Sequence, residues 1–257
     1  MIGLNNVLVA IKANHKSRTG VQKVFTQSKN NPKPGLKQAE SHADGGIFGN
    51  FTGTRHFAAL PMPSTPQQQL AGFIQQVHPL PQEVLARFVQ PWQEVGFKRK
   101  TILTREGETE SYLYFVTEGI QRAFCFDPAV QREATLVFTY APSFSGVVDS
   151  FLLQQPSRFF LEPLTASKML RLAFEDFNRL LQQHTELERW LRIALSAQLA
   201  GALQRQQEIL CYTAEEKFRT LLQRSPHVLN LIPHKYLASY LGMDASTFSK
   251  LLGNTII

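Results

Sequence analysis

Residues 238–250 have the types and spacing of two short helices joined by a tight turn. Two helices that cross steeply need a small residue where they touch and a glycine in the turn, and Ala238 and Gly242 occupy such positions. Asp244 is a residue type that caps the start of a helix. The second helix then exposes three hydroxyl groups and one cation that can reach phosphates and base edges: Ser246, Thr247, Ser249 and Lys250. The pattern predicts binding to double-stranded DNA.

The end of this segment keeps a second interpretation open. Residues 251–257 contain no further basic residue, which predicts a shortened or altered C terminus for the DNA-binding domain. Fewer basic side chains make fewer phosphate contacts, so the salt-dependent part of the DNA affinity is smaller. The alternative is a dimeric ligand-binding or interaction protein that has lost sequence-specific DNA binding.

A long helix is predicted to precede this motif. Residues 185–212 contain no proline, and Thr185 and Glu188 have the spacing of a capping box. Apolar residues cover two sides of the helix, one beginning with Leu187 and Leu191 and the other with Trp190 and Ile193. One apolar stripe is enough to dock the helix onto a domain, so the second stripe needs another partner. The same helix of a second chain is the simplest partner, which predicts a homodimer. Burial of the whole helix inside one chain is the alternative.

The middle of the sequence is typical of an antiparallel β-domain. Two short amphipathic helices are predicted near residues 70–77 and 84–89. Short segments rich in β-branched and aromatic residues follow, separated by glycine and proline. The predicted strands are residues 95–98, 101–105, 112–117, 120–126, 135–140, 158–164 and 169–174. Their number and spacing predict a barrel or sandwich.

The basic charge of the chain is concentrated at its N terminus. The formal net charge is +7 over 257 residues, but residues 1–65 contain eight lysine or arginine residues against two acidic residues. This segment is also rich in Gln, Asn, Gly, Ser and Pro, so we predict a disordered or poorly ordered extension. A DNA-contacting arm is the alternative. With no apolar run long enough to cross a bilayer, we expect a cytoplasmic protein without a membrane partner.

The distribution of metal-binding residue types argues against an enzyme. The seven histidines all lie outside residues 94–173, so a metal site inside the β-domain lacks its usual ligands. Cys125 and Cys211 are the two cysteines, too few for an iron–sulfur cluster within one chain. No phosphate-binding glycine loop and no serine nucleophile motif is present. We predict no catalytic residue, no bound metal and no required cofactor.

Several segments in their order along the chain resemble the Crp/Fnr superfamily of transcription regulators, and especially its short Bacteroidetes-type branch. The resemblance covers residues 66–252 and is carried by Phe97-Lys98-Arg99, residues 102–107 (ILTREG), residues 112–119 (YLYFVTEG), residues 156–159 (PSRF), the long helix, and the motif ending at Lys250. It implies an α+β fold: an antiparallel β-roll of the cyclic-nucleotide-binding type with flanking helices, a dimerisation helix and a helix-turn-helix. The expected domains are residues 1–65, 66–183, 184–212 and 213–257. RNA polymerase is an implied partner.

The resemblance also implies a ligand site in the β-roll. Ligand-binding relatives use a Gly-Glu pair for a ribose hydroxyl and a later arginine, followed by a small residue, for a cyclic phosphate. Gly146 and Arg158 match this pattern, but Val147 replaces the glutamate and Phe159 replaces the small residue. These departures disfavour cyclic AMP, although a cyclic nucleotide stays an open alternative. The candidate residues for a small anionic ligand are Gly146, Asp149, Ser157 and Arg158. A surface salt bridge is the alternative role for Arg158.

Overall fold

The computed structural model describes residues 65–254. The extension predicted over residues 1–65 therefore lies, apart from Thr65, outside the described residues. No described helix is both long enough and apolar enough to cross a membrane. In chain order the elements are α1 (Pro66–Val77), α2 (Gln82–Val89), β1 (Gln93–Phe97), β2 (Tyr112–Glu118), β3 (Ile120–Asp127), β4 (Arg132–Tyr140), β5 (Ser143–Ser145), α3 (Val148–Leu153), β6 (Phe160–Pro163), β7 (Ser167–Ala173), α4 (Phe174–Gln183), α5 (Thr185–Cys211), α6 (Ala214–Arg224), α7 (Val228–Leu231), α8 (His234–Leu241) and α9 (Ala245–Asn254).

The seven strands within residues 65–254 form two antiparallel sheets that together make a β-roll. One sheet has the strand order β1-β7-β2-β5 and the other has the order β4-β3-β6, and they do not close into a barrel. Burial alternates along β4, where Thr135, Val137 and Thr139 are buried and the residues between them are half-buried. The roll and its flanking helices confirm the predicted α+β fold class.

The prediction of a strand over residues 101–105 is wrong. Thr104 forms only an isolated bridge with Leu161, through two hydrogen bonds in which Leu103 N–H donates to Leu161 (2.8 Å) and Leu161 N–H donates to Thr104 (3.0 Å). The chain turns sharply on both sides of this bridge, because Lys100 and Gly107 have positive φ values of 63° and 86°. Pairing is interrupted before a strand can extend.

An aromatic cluster fixes the long helix α5 against the roll. The ring of Phe144 lies 5.4 Å from that of Phe115 and 5.7 Å from that of Trp190 on α5. Trp190 Nε1 donates a hydrogen bond to the carbonyl of Ile74 on α1 (3.0 Å). Edge-to-face aromatic contacts of this kind each add about 0.5–1.5 kcal/mol beyond the burial of their apolar area. The N-terminal half of α5 is therefore held by both α1 and the first sheet.

The start of α5 differs from the predicted capping box. The helix begins at Thr185 directly after α4, its N-cap is His184, and no side chain caps it. Because His184 alone separates the two helices, Thr185 already lies in the first turn and cannot act as the cap. The capping box predicted at the next helix is present: Thr213 N–H donates to Glu216 (2.8 Å), and Glu216 N–H donates to the Thr213 hydroxyl (3.2 Å).

Candidate nucleic-acid interface and ligand cleft

The C-terminal helix pair, α8 and α9, is joined by a tight turn at Gly242. Gly242 has φ +68°, and the N–H of the following Met243 donates to Ala238 (3.1 Å). This left-handed glycine satisfies carbonyls at the end of α8, an ending that other residue types adopt only with strain. Phe248 of α9 is fully buried, and its ring lies 5.3 Å from that of Phe218 on α6. The opposite side of α9 faces solvent.

Asp244 organises the start of α9. Its carboxylate accepts hydrogen bonds from Thr247 N–H (2.7 Å), the Thr247 hydroxyl (2.8 Å) and the Ser246 hydroxyl (2.5 Å). The Ser246 hydroxyl and the two Thr247 groups hold the pKa of this carboxyl well below its ordinary value. Ser249 donates to the carbonyl of Ala245 (2.8 Å). Two of the predicted DNA-contacting hydroxyls thus point to an anionic cap, and the third points to its own helix.

Lys250 is the predicted DNA-contacting residue with a positive charge. It lies on the exposed side of α9, as do Ser246 and Ser249, whereas Thr247 is half-buried. The structure therefore brings the four predicted residues onto one helix, three of them on its exposed side. A lysine at this position can reach a phosphate or a guanine edge.

The helix pair is attached to the outer face of the second sheet through Arg122 of β3. The Arg122 guanidinium lies 4.0 Å from the centres of the Phe124 ring and the Tyr236 ring of α8. It donates hydrogen bonds to Glu162 (2.7 Å) and Glu133 (2.8 Å). Arg122 and Glu162 are both buried. The positive charge is therefore compensated by carboxylates and stacked between two rings.

Further bonds reinforce this attachment. The register of β3 and β4 shifts so that Leu136 forms a bulge, and Thr135 N–H next to it donates to the Ser239 hydroxyl of α8 (3.0 Å). The hydroxyls of Tyr140 and Ser225 share a hydrogen bond of 2.8 Å. Ile120 of the roll packs in the same apolar cluster as the buried core of the helix pair. A strand bulge of this kind frees a backbone group for a contact outside the sheet.

A cleft of about 540 Å³ lies between the inner face of β3 and β4 and the C-terminal half of α5. Its charged lining residues are Asp149, Arg158 and Arg205, and its apolar ones include Leu136, Phe159 and Leu210. Arg158 and Asp149, two of the predicted ligand residues, form an ion pair of 3.4 Å at the cleft. The Arg158 side chain is largely exposed, which leaves its guanidinium accessible to a ligand.

The other two predicted ligand residues do not line the cleft. Gly146 has φ +132°, and a side chain there is strained. Ser157 is buried, and its hydroxyl accepts from Phe159 N–H (3.0 Å) and donates to the Phe159 carbonyl (2.7 Å). Ser157 thus shapes the loop that carries Arg158, whereas Gly146 lies in the turn between β5 and α3.

A buried carboxylate, Glu110, occupies the neighbourhood of Val147 and was not predicted from the sequence. Glu110 accepts hydrogen bonds from the Thr104 hydroxyl, Tyr112 N–H (3.3 Å) and Val147 N–H (3.3 Å). Its burial raises its pKa, and the hydrogen bonds only partly offset this effect. The Val147 side chain is fully buried in the roll. The backbone N–H of Val147 is therefore already bonded within the protein.

A polar cluster connects the cleft to the helix pair. Arg205 of α5 lines the cleft, donates a hydrogen bond to the carbonyl of Tyr240 on α8, and lies 4.0 Å from the centre of the Tyr240 ring. Arg205 also pairs with Glu208 (3.4 Å), which in turn pairs with Arg224 of α6. Arg205 Nε is buried and has no hydrogen-bond partner among residues 65–254. Within the same residues, no group of three or more His, Cys, Asp or Glu side chains is placed to hold a metal ion.

Comparisons with known proteins identify the fold. No family model and no curated protein matches the sequence. Solved structures do match: FixK2 from Bradyrhizobium japonicum has a TM-score of 0.55 and 16% identity over 63% of this chain and 83% of its own. The described chain has the Crp/Fnr fold. A Crp/Fnr protein from Eubacterium rectale, described as a transcriptional regulator, has a TM-score of 0.55 and 13% identity over 68% of this chain and 82% of its own.

A third solved structure with this Crp/Fnr fold is CLP from Xanthomonas campestris, described as a global regulator responsive to c-di-GMP. It has a TM-score of 0.53 and 16% identity over 66% of this chain and 89% of its own. All three matches are at 16% sequence identity or less, so they establish the fold and not the function. The functional residues of this chain must be argued from its own geometry.

Proposed function

We propose that the protein is a transcription regulator that binds double-stranded DNA, with α8 and α9 acting as a helix-turn-helix. The exposed side of α9 carries this proposal, because Phe248 anchors the helix while Ser246, Ser249 and Lys250 face solvent. A recognition helix of this type enters the major groove with the residues of its first turns at the base edges. The Crp/Fnr fold supports the same function, since the Eubacterium rectale neighbour is described as a transcriptional regulator.

The test is a selection of bound genomic fragments with the purified protein, followed by fluorescence anisotropy on the selected sequence. Specific binding that survives moderate salt, with much weaker binding to a shuffled duplex, is the expected result. Binding that is equal for both duplexes and disappears as salt rises contradicts the proposal.

The DNA-binding form is a homodimer formed by two copies of α5. The C-terminal half of this helix exposes Leu199, Leu203 and Leu210, with exposed fractions of 62%, 57% and 74%. Burial of large apolar side chains of this kind contributes about 1.5–3 kcal/mol each. Pairing of these stripes places two recognition helices about 34 Å apart, the spacing of successive major grooves on one side of DNA.

One observation favours the alternative of a dimeric binding or interaction protein. Asp244 places a negative charge at the N-terminal end of α9 and binds two of its hydroxyls. A phosphate approaching this end meets electrostatic repulsion, so DNA binding relies more on Lys250. The anisotropy measurement separates the two functions, because the alternative predicts no preference for any selected sequence.

The cleft beside α5 is the site for a small anionic ligand that gates DNA binding. Arg158 and Asp149 supply its polar side, whereas Val147 offers no acceptor for a ribose hydroxyl. A ligand in this cleft contacts both the roll and α5, so it can favour one arrangement of the helix pair over another.

Calorimetric titration with cyclic AMP, cyclic GMP and cyclic di-GMP tests the nucleotide alternative. Cyclic di-GMP is included because the CLP neighbour responds to it. Micromolar binding that Arg158→Ala removes would establish a cyclic nucleotide.

We place this regulator in the cytoplasm, where it has access to DNA and to RNA polymerase as a second partner. The proposal involves no catalysis, metal or obligatory cofactor. Co-purification of RNA polymerase on the selected DNA, and not on a shuffled duplex, tests the polymerase contact.

A further inference from the structure

The buried Nε atom of Arg205 marks an incomplete polar arrangement at the cleft. Arg205 is only 7% exposed, and its Nη1 and Nη2 atoms donate hydrogen bonds to Glu208 and to the Tyr240 carbonyl, respectively. Nε has no partner among residues 65–254. A buried donor without an acceptor destabilises the protein, so an acceptor supplied from the cleft is favoured.

The charges of the cleft indicate how much negative charge such an acceptor carries. Two arginines and one aspartate line it, namely Arg158, Arg205 and Asp149, which leaves one net positive charge. Glu208 does not change this balance, because Arg224 pairs with it on the other side. A monoanion neutralises the lining, whereas a dianion leaves a partly buried charge without compensation.

The rest of the lining indicates the body of the ligand. Leu136, Phe159, Ile209 and Leu210 surround the charged residues with apolar surface. The one carboxylate of the lining, Asp149, is paired with Arg158 through Oδ2. Val147 supplies no second carboxylate for a sugar hydroxyl, and its N–H is already donated to Glu110. Polar groups left without partners in such a site reduce affinity, while an apolar body gains by leaving water.

We propose that this cleft binds an amphipathic carboxylate, whose head group accepts hydrogen bonds from Arg205 Nε and Arg158 and whose apolar body lies on the leucine and phenylalanine lining. This inference rests on the proposed function only in its last step: fixing the Arg205 guanidinium strengthens its bond to the Tyr240 carbonyl and so steadies α8. The signal passes from the cleft to the helix pair through one side chain.

Calorimetric titration with decanoate tests the ligand class without any DNA. Wild-type protein is expected to bind decanoate and not cyclic AMP. Arg205→Lys keeps the positive charge beside Glu208 but removes Nε, and it is expected to weaken decanoate binding about tenfold or more. Arg158→Gln is expected to weaken it similarly. Arg179→Gln, which changes an exposed arginine of α4 paired with Asp176, is the matched control and leaves binding unchanged.

A steric variant keeps the proposal testable if Arg205→Lys alters the fold. Leu136→Trp fills the cleft from the bulge of β4 and changes neither α5 nor the Arg205 cluster, so it is expected to abolish decanoate binding. Equal decanoate binding by wild type, Arg205→Lys and Leu136→Trp overturns the proposal. So does wild-type protein that binds cyclic AMP but no decanoate, or that binds neither because a second copy fills the cleft.

Hydrogen exchange of the α8 amides tests the transmission. Saturating decanoate is expected to slow exchange across residues 234–241 several-fold in the wild type and to have no effect in Arg205→Lys. Unchanged or faster exchange in the wild type contradicts the role of Arg205. Because neither measurement uses DNA, a protein that binds decanoate in this way but selects no DNA sequence refutes the proposed function and leaves the ligand assignment intact.

Discussion

The Arg122 guanidinium on β3 lies 4.0 Å from the centre of the Tyr236 ring on α8. Two residues that are far apart in the chain thus join the β-roll to the first helix of the C-terminal pair. Tyr236 is buried, and the other face of Arg122 is covered by Phe124. A cation held over a ring away from water gains about 2 kcal/mol. This contact helps to fix where α8 lies relative to the roll.

Replacement of the Tyr236 ring is expected to weaken the protein measurably. Tyr236→Leu keeps an apolar side chain but removes the ring, and we expect it to lower the free energy of unfolding by about 2 kcal/mol. Tyr236→Phe keeps the ring and serves as the matched control, with a change below about 0.5 kcal/mol. Urea unfolding monitored by circular dichroism gives both values. Equal losses in the two variants would show that the ring contact contributes nothing.

The burial of the Arg122 and Glu162 pair leads to a second prediction. Arg122→Met leaves the Glu162 carboxylate buried without its partner, and we expect a loss of about 3–5 kcal/mol in the free energy of unfolding. The double variant Arg122→Met, Glu162→Met removes both charges and is expected to recover most of that loss. A double variant that is no more stable than the single one would contradict this account of the pair.

Most helices and strands of the protein could be predicted from local sequence patterns. The sheet strands and α5 are recognisable because a period of 2 or 3.6 residues is a local pattern, and the Thr213 capping box is a local signal too. The strand predicted at residues 101–105 is absent because the backbone turns at Lys100 and Gly107, both of which have positive φ. The pattern of apolar residues between them does not reveal these turns.

The site was only partly predictable for the same reason. Asp149 and Arg158 were found through a family pattern, and they do line the cleft. Arg122, Arg205 and Glu110 were missed, since a single charged residue on a strand, helix or loop looks like an ordinary surface residue in sequence. Their roles come from partners distant in the chain: Glu162 for Arg122, and Tyr240 for Arg205. Tertiary packing decides such roles, and one sequence carries no signal for them.

Glu110 is expected to make stability depend on pH. Burial raises its pKa above the ordinary value of 4.5, so the folded protein holds this proton more tightly than the unfolded chain does. The resulting stabilisation is present at low pH and is lost as pH rises from about 4.5 through the raised pKa. The free energy of unfolding of the wild type should therefore fall relative to that of Glu110→Gln as the pH rises above about 4.5. A difference that is constant with pH, or that grows in the wild type's favour, would refute this.

Lys250 is expected to contribute electrostatically to DNA binding. Lys250→Ala removes the positive charge from the exposed side of α9, which should weaken binding to the selected sequence about tenfold at moderate salt. If Lys250 contacts a phosphate, the slope of log affinity against log salt concentration falls in magnitude by about 0.9. Lys168→Ala, at an exposed residue of β7 paired with Glu118, is the control and should change neither quantity. Fluorescence anisotropy over a salt series measures both the affinity and its salt dependence. Indistinguishable curves for Lys250→Ala and Lys168→Ala would show that Lys250 on α9 does not contact the DNA.

The exposed stripe of α5 is expected to hold two chains together. Leu199→Lys replaces an apolar side chain that is 62% exposed in one chain, so it should hardly affect the folding of that chain. In a symmetric dimer the change occurs twice at one interface, and with about 1.5–3 kcal/mol for each leucine we expect the dimer dissociation constant to rise at least about 100-fold. Leu153→Lys places the same charge on α3, where the leucine is 66% exposed, and should leave the dimer intact. Sedimentation velocity across micromolar concentrations distinguishes the outcomes. A wild-type protein that stays monomeric at these concentrations, with and without DNA, would contradict dimerisation through α5.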